Sequence, residues 1–153
     1  MLLLIAVLLG ISAGLRSMMP LAVVAWAARG WPAVAGSALG FMAAPITGYV
    51  FAALAIGELI ADKLPFIPSR LQPGPLGGRV ISGALTGAVA AIAMQGSPIV
   101  AGLAGAIGGL AGSFGGYAVR RGLTVDRKLP DLPVALAEDL VAIGLALFAV
   151  SRI

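Results

Sequence analysis

Five long apolar segments, separated by short polar connections, make up most of the sequence. A helix needs about 20 apolar residues to cross a hydrocarbon core about 30 Å thick, and each segment is close to that length. The pattern predicts an all-α, polytopic transmembrane bundle that forms a single domain over residues 1–153. The segments run approximately from Leu2 to Ala28, Leu39 to Leu64, Leu76 to Met94, Pro98 to Val119 and Leu132 to Val150.

The first segment is interrupted near its middle. Gly10, Gly14 and Pro20 lie on either side of Arg16. Because proline removes a backbone hydrogen bond and kinks a helix, we expect this segment to be broken or kinked near Arg16. The two halves could form one kinked crossing, or a re-entrant hairpin that returns the chain to its starting side. We favour one kinked crossing.

A short motif occurs twice. Lys63-Leu-Pro-Phe-Ile-Pro68 follows the second segment, and Lys128-Leu-Pro-Asp-Leu-Pro133 follows the fourth. A glycine-rich arginine, at Arg16 and again at Arg79, precedes each copy. The spacing predicts an internal two-helix repeat, with units of about 1–68 and 76–133, and a final helix over 132–150. Repeats of this kind in transporters flank a central site.

The composition places the segments in a lipid bilayer. Hydrophobic residues make up 60% of the chain and charged residues only 10%, whereas soluble domains carry about 25% charged residues. The bases lie at the ends of apolar runs and do not alternate with aromatic residues, so we expect no nucleic-acid partner. The absence of Cys and His excludes disulfides, thiolate metal sites and histidine bases. No cofactor is expected, and a bound metal would need oxygen ligands.

The bases are concentrated in alternate connections. Residues 63–79 and 120–131 are base-rich, and residues 95–97 carry no base. The positive-inside rule places the base-rich connections in the cytoplasm. With five crossings, the N-terminus would lie inside and the C-terminus outside. A re-entrant first segment would move the N-terminus to the other side.

Two carboxylates lie near the end of the second segment. Glu58 and Asp62 are four residues apart, so they share one face of the predicted helix. A helix C-terminus disfavours negative charge, so these groups need a compensating partner. That partner would be a cation, or a salt bridge to Arg79 or Lys63 that fixes helix packing.

A second acidic pair, Glu138 and Asp139, lies in the fifth segment, where Asp131 is placed to cap the helix. If the base-rich connections share a side, all four intramembrane carboxylates gather in the same half of the bundle. Close carboxylates repel, so the group would take up a proton or a cation, or form a cluster of ion pairs. The expected neighbours are Arg79 and either Arg120 or Arg121.

Arg16 is the third charged feature inside a span. A charge in hydrocarbon costs roughly 3 kcal/mol on insertion scales, so Arg16 should pair with Glu58 or Glu138, or face water. Its forked guanidinium also suits recognition of phosphate or carboxylate. The candidate ion or substrate site therefore consists of Glu58, Asp62, Glu138, Asp139, Arg16 and Arg79, with the four carboxylates as the only expected metal ligands. No catalytic residue is assigned.

Glycines spaced four residues apart predict closely packed helices. Gly83 and Gly87 form one such pair, and residues 105–116 carry a longer glycine stripe. The stripe would serve packing within the chain or a homodimer.

Two stretches carry a family resemblance. Ala13-Gly-Leu-Arg-Ser-Met-Met-Pro-Leu21 and Gly57-Glu-Leu-Ile-Ala-Asp-Lys-Leu-Pro65 resemble a bacterial family of small integral membrane proteins, domain-of-unknown-function family 4126. The resemblance spans most of the chain and implies a helical protein of the bacterial inner membrane. It implies no activity.

Three functions are compatible with these residues. The first is a small transporter or channel for an ion or small polar solute, which couples through the carboxylates. The second is a membrane enzyme or binder acting on a lipid phosphate, with Arg79 and Arg16 holding the phosphate. The Pro73–Arg79 stretch partly resembles the Pro-Gly-x-Ser-Arg loop of undecaprenyl-pyrophosphate phosphatases, although the Ser is missing and no role is transferred. The third is an accessory subunit in which the charges are structural. We expect transport more than catalysis.

Overall fold

The described part of the chain folds into helices joined by short connections. The structure is a computed structural model and describes residues 1–62 and 71–153. A 3₁₀ turn, Gly40–Ala43, precedes α4, and a π-helical segment, Gly122–Asp126, continues α6. The α-helices are α1 Leu2–Leu15, α2 Met18–Ala28, α3 Pro32–Ala35, α4 Pro45–Ala61, α5 Pro73–Ala93, α6 Pro98–Arg121 and α7 Asp131–Val150.

The last three apolar segments correspond closely to α5, α6 and α7. In the described ranges these are the helices long and apolar enough to span a membrane, with α6 counted together with its π-helical extension. Proline in the first turn starts α4, α5 and α6, where its missing N–H has no helical partner to lose. The predicted bundle of apolar helices, as expected for a membrane protein, is confirmed at this level.

The second segment begins later than expected. Its helix was predicted from Leu39, but α4 starts at Pro45, after an extended Ala44 that ends the 3₁₀ turn. Proline disfavours helical geometry in the residue before it, which explains the late start. The expected end of the segment, at residue 64, lies outside the described residues.

Helices α1, α5 and α6 pack closely against one another at glycine residues. Gly10 lies against Gly105 and Gly108, and Gly83 lies against Gly105 on its other side. A methyl group added to Gly105 would overlap the backbone of Gly83, so the helix backbones are in direct contact. The central part of the predicted glycine stripe therefore serves packing within the chain.

Helix α1 runs parallel to α6. Gly10 faces Gly105, whereas Gly14, one turn later, faces Gly109 and Ser113. We call the end of the bundle where α5 begins, α6 ends and α7 begins the basic end. Helix α1 therefore runs toward the basic end and stops short of it.

Helix α2 runs in the opposite direction. It is antiparallel to α4, because Ser17 binds Glu58 while Trp26 meets Tyr49, with ring centroids 5.3 Å apart. Helix α4 runs toward the basic end and is followed by Asp62, which contacts Arg120. Helices α1 and α2 thus run in opposite directions, like the two arms of a hairpin. This geometry agrees with the re-entrant alternative and not with the favoured single kinked crossing, and the number of membrane crossings stays a prediction.

The internal repeat stays a prediction. Its first hexapeptide, residues 63–68, lies outside the described residues. Helices α2 and α5 both lead away from the basic end, and α4 and α6 both lead toward it, as a two-helix repeat would require. However, Arg16 lies between two helices, whereas Arg79 lies inside α5.

Candidate functional site: a charged network at a helix break

The chain breaks between α1 and α2 at Arg16. Its backbone is extended, with φ −141° and ψ 108°. Pro20 has no N–H to donate to the carbonyl of Arg16, and its ring would clash with that carbonyl in a continuous helix. The side chain of Arg16 is fully buried despite its charge. The break therefore places two helix ends and one cation inside the bundle.

The carbonyl end of α1 is capped by Arg79. This side chain comes from α5 and is buried. Its Nη1 donates to the carbonyl oxygens of Gly14 and Leu15, each at 2.6 Å. The last carbonyls of a helix lack internal hydrogen-bond partners and carry partial negative charge. A guanidinium supplies both the donors and the compensating positive charge.

The amide end of α2 is capped by Glu58. Its Oε1 accepts hydrogen bonds from the backbone N–H of Ser17 at 2.9 Å and from the Ser17 hydroxyl at 2.8 Å. Its Oε2 accepts from the N–H of Met18 at 2.8 Å. Arg79 Nη2 lies 3.7 Å from Glu58 Oε1, so the two capping groups also attract each other. The compensating partner predicted for Glu58 includes Arg79, and its main component is the start of α2.

Arg16 lies between two aspartates. Its Nε donates to Asp139 Oδ1 at 2.5 Å. Its Nη2 lies 2.8 Å from Asp62 Oδ2, but the N–H direction is poorly aligned, so this contact is an ion pair without a good hydrogen bond. The expected partners Glu58 and Glu138 are not within ion-pair distance of Arg16, which contacts Asp62 and Asp139. Glu58 instead binds the start of α2, and residues 138 and 139 point about 100° apart on their helix.

Arg120 continues the network toward the basic end. Its Nη1 donates to Asp62 Oδ2 at 2.8 Å. Its Nε and Nη2 donate to the two oxygens of Asp131 at 2.9 Å and 2.8 Å. Asp131 was expected to cap α7, but it is the first residue of that helix and its carboxylate binds Arg120 as a fork. Glu138 Oε2 lies 3.7 Å from Arg120 Nη1.

These contacts form a chain of alternating charge. It runs inward from Asp131 through Arg120, Asp62 and Arg16 to Asp139. The exposed side-chain fraction falls from 59% at Asp131 to 19% at Arg120, 16% at Asp62 and 0% at Arg16. Asp131, Glu138 and Asp139 make additional interactions, so none of them is unpaired. This row of ion pairs connects the surface of the basic end with the buried helix break.

The predicted gathering of Glu58, Asp62, Glu138 and Asp139 occurs, with arginines between them. Arg79 and Arg120 are the neighbours, as expected, while Arg121 is exposed. Among residues 1–62 and 71–153, no three carboxylates lie close enough together to hold a metal ion. The described arrangement is an ion-pair network and does not form a metal centre.

Buried serines complete the site, and the sequence reasoning did not find them. Ser82 donates to the Ser17 carbonyl at 2.5 Å, and Ser12 donates to the Ala142 carbonyl at 2.8 Å. Ser113 donates to Gly109 O at 2.7 Å. Hydroxyl groups inside apolar segments were the available signal, because a buried donor needs an acceptor.

Comparison with known proteins identifies a family and adds no activity. The family described as "Domain of unknown function (DUF4126)" matches residues 3–152, which is nearly the whole chain. No curated protein and no solved structure matches the sequence. The protein therefore belongs to the DUF4126 family.

Proposed function

We propose that this protein is a small membrane transporter or channel for an ion or small polar solute, and that the alternating chain from Asp131 to Asp139 forms one end of its path. One observation carries the proposal. A single oxygen, Asp62 Oδ2, lies 2.8 Å from both Arg16 Nη2 and Arg120 Nη1. It joins the buried and the solvent-facing halves of the network.

The broken hairpin supports this function. Irregular backbone at membrane depth is tolerated where protein covers it or where it lines a polar cavity. In transporters, discontinuous helices present partial charges to substrates and ions near mid-membrane. Here Arg79 and Glu58 neutralise the two helix ends at the break. A passing ion or solute would exchange for one of these side chains.

Asp62 is the group best placed to change the network. Protonation or ion binding at its carboxylate would weaken the attraction to Arg16 and Arg120 together. Arg16 would keep Asp139 and Arg120 would keep Asp131, so the two halves could separate without leaving an unpaired cation. The arrangement suits a site that alternates between a joined and a separated state.

We place the basic end in the cytoplasm of a bacterial inner-membrane protein, because the bases Arg120, Arg121, Arg127 and Lys128 lie at that end. The hairpin then puts the N-terminus on the outer side, near the turn at Gly96, whose added methyl group would meet the Leu2 side chain. The C-terminus follows α7 to the same side.

The other functions have less support from the described contacts. A lipid phosphate held by Arg16 and Arg79 would have to displace Asp139 and the carbonyls of α1. A homodimer through residues 105–116 would have to use the exposed residues of this stretch, such as Ile107 and Phe114, because Gly105 and Gly112 already contact other helices of the chain. An accessory role predicts the same ion pairs, so only a flux measurement distinguishes it from transport.

The experiment is flux into liposomes that contain the purified protein. Proton, Na⁺, K⁺ and chloride movement under an imposed potential would be compared for the wild type, Asp62→Asn, Glu138→Gln and the control Asp126→Asn. Asp126 is exposed and lies outside the network. We expect flux of at least one ion above that of empty liposomes in the wild type and control, with a loss of tenfold or more in Asp62→Asn. Wild-type flux equal to that of empty liposomes for all four ions, or unchanged flux in Asp62→Asn, would reject the proposed ion path.

A further inference from the structure

Helices α6 and α7 leave a crevice between them at the basic end. Helix α6 packs mainly on α1 and α5, whereas α7 packs mainly on α1 and α2. The two helices diverge as a result, and a cavity of about 530 Å³ opens between them. Cavities of about 300–1,000 Å³ are typical of sites for small molecules.

The walls of this crevice are almost entirely apolar. Leu15, Val119, Leu123, Val134, Ala137 and Val141 line it. Arg120 and Glu138 are its charged lining residues, and they pair with each other and with the network at the helix break. The interior therefore suits a hydrocarbon chain more than a polar solute.

The part of the chain that lines the crevice also carries bases. Arg121 is the last residue of α6, and Arg127 and Lys128 lie on the connection that follows it. All three are exposed, and Asp126 is the acidic residue among them. Leu123 and Leu129, from the same connection, line the crevice itself. An apolar slot whose lining segment also carries exposed cations matches a molecule that has a hydrocarbon tail and an anionic head. Basic sites between membrane helices bind anionic lipid headgroups for this reason.

We propose that the α6–α7 crevice binds one acyl chain of an anionic phospholipid, whose headgroup phosphate lies against Arg121, Arg127 and Lys128. This site is separate from the proposed ion path, although Arg120 and Glu138 border both. A bound lipid would cover apolar surface that the divergence of α6 and α7 leaves open.

The test uses the purified full-length protein in nanodiscs of phosphatidylcholine with a trace of phosphatidylglycerol that carries a diazirine in its acyl chain. Ala137→Trp fills the crevice, and Ala53→Trp places the same side chain on an exposed position of α4 as a matched control. Circular dichroism confirms that each variant is folded. After irradiation, the cross-linked peptides are identified by mass spectrometry.

We expect cross-links on the peptides that contain Val134 and Val141, lost in Ala137→Trp and kept in Ala53→Trp. Excess unlabelled phosphatidylglycerol should compete, and phosphatidylcholine should not. Replacing Arg121, Arg127 or Lys128 by Gln should each weaken lipid binding about five-fold, and Arg152→Gln, at the opposite end, should leave it unchanged. Equal competition by both lipids, cross-links indifferent to Ala137→Trp, or cross-links between two protein copies through the crevice would overturn the proposal.

Discussion

Asp62 and Arg16 meet across the break between α1 and α2, with Oδ2 2.8 Å from Nη2. Arg16 follows α1 and Asp62 follows α4, so the two residues are far apart in the sequence and meet only in the folded protein. The same oxygen also lies 2.8 Å from Arg120 Nη1. This one oxygen therefore contacts both the buried and the solvent-facing arginine, and substitutions around it should show whether the network serves transport or only packing.

The pair formed by Arg16 and Asp139 should be strongly cooperative. Arg16→Met or Asp139→Leu alone breaks the buried hydrogen-bonded ion pair and leaves one of its charges in place, and such losses typically cost about 3–5 kcal/mol. The double variant should lose less than the sum of the two single variants, because neither charge remains. Thermal unfolding in detergent measures this cycle. Arg152→Met, at an exposed site, should change stability by less than about 0.5 kcal/mol. Strict additivity would show that the pair is not coupled.

Glu58 should protect the first amides of α2. Glu58→Ala removes the acceptor of three hydrogen bonds and should cost about 1–2 kcal/mol or more, with Glu58→Gln intermediate. Hydrogen exchange should accelerate at Ser17 and Met18 and stay unchanged in the middle of α6. The Asp126→Asn variant provides the control for loss of a carboxylate. Unchanged exchange at both amides in Glu58→Ala would contradict the capping role.

Replacing glycine by alanine on α6 should have different effects on stability at the packed and at the exposed face of the helix. A methyl group at Gly105 would overlap the backbone of α5, so Gly105→Ala should destabilise the protein by about 1–3 kcal/mol. Gly115 has no heavy atom within 4 Å of an added methyl group, so Gly115→Ala should be neutral or stabilising by up to about 1 kcal/mol. Unfolding midpoints of the two variants give the comparison. Equal effects would show that α1, α5 and α6 are not in close contact.

The hairpin makes a direct prediction about the N-terminus. Because the chain has no cysteine, single-cysteine variants can be labelled without background. Leu3→Cys should react with a membrane-impermeant maleimide from the same side as Gln95→Cys. Arg127→Cys should react only from the opposite side. A single kinked crossing would instead place Leu3→Cys on the side of Arg127→Cys.

The helices were predictable because apolar run length dominates their formation in lipid. Proline and glycine positions also indicated a break at Arg16, but they could not give the direction of the second arm. That direction depends on the contacts of Glu58 with Ser17 and of Trp26 with Tyr49, which no local pattern encodes.

The six candidate residues of the charged site were also predictable, since each is a charge inside an apolar segment. Arg120 and Asp131 lie in the predicted connection 120–131, and they were expected only as a neighbour of the carboxylates and as a helix cap. Their partners were not. Asp139 faces Arg16 because of the rotation of α7 about its axis, and this rotation is set by tertiary packing. The serines that bind backbone carbonyls could be recognised only once the break had been located.

Paired measurement of ion flux and thermal stability for Asp62→Asn tests the central claim most directly. Liposomes would hold equal amounts of folded wild type, Asp62→Asn and Asp126→Asn, and each preparation would also be melted in detergent. We predict that Asp62→Asn loses tenfold or more of the flux while its melting temperature stays within a few degrees of the wild type. Full flux in Asp62→Asn, wild-type flux no higher than that of empty liposomes, or a flux loss matched by a large loss of stability in Asp62→Asn would contradict the account.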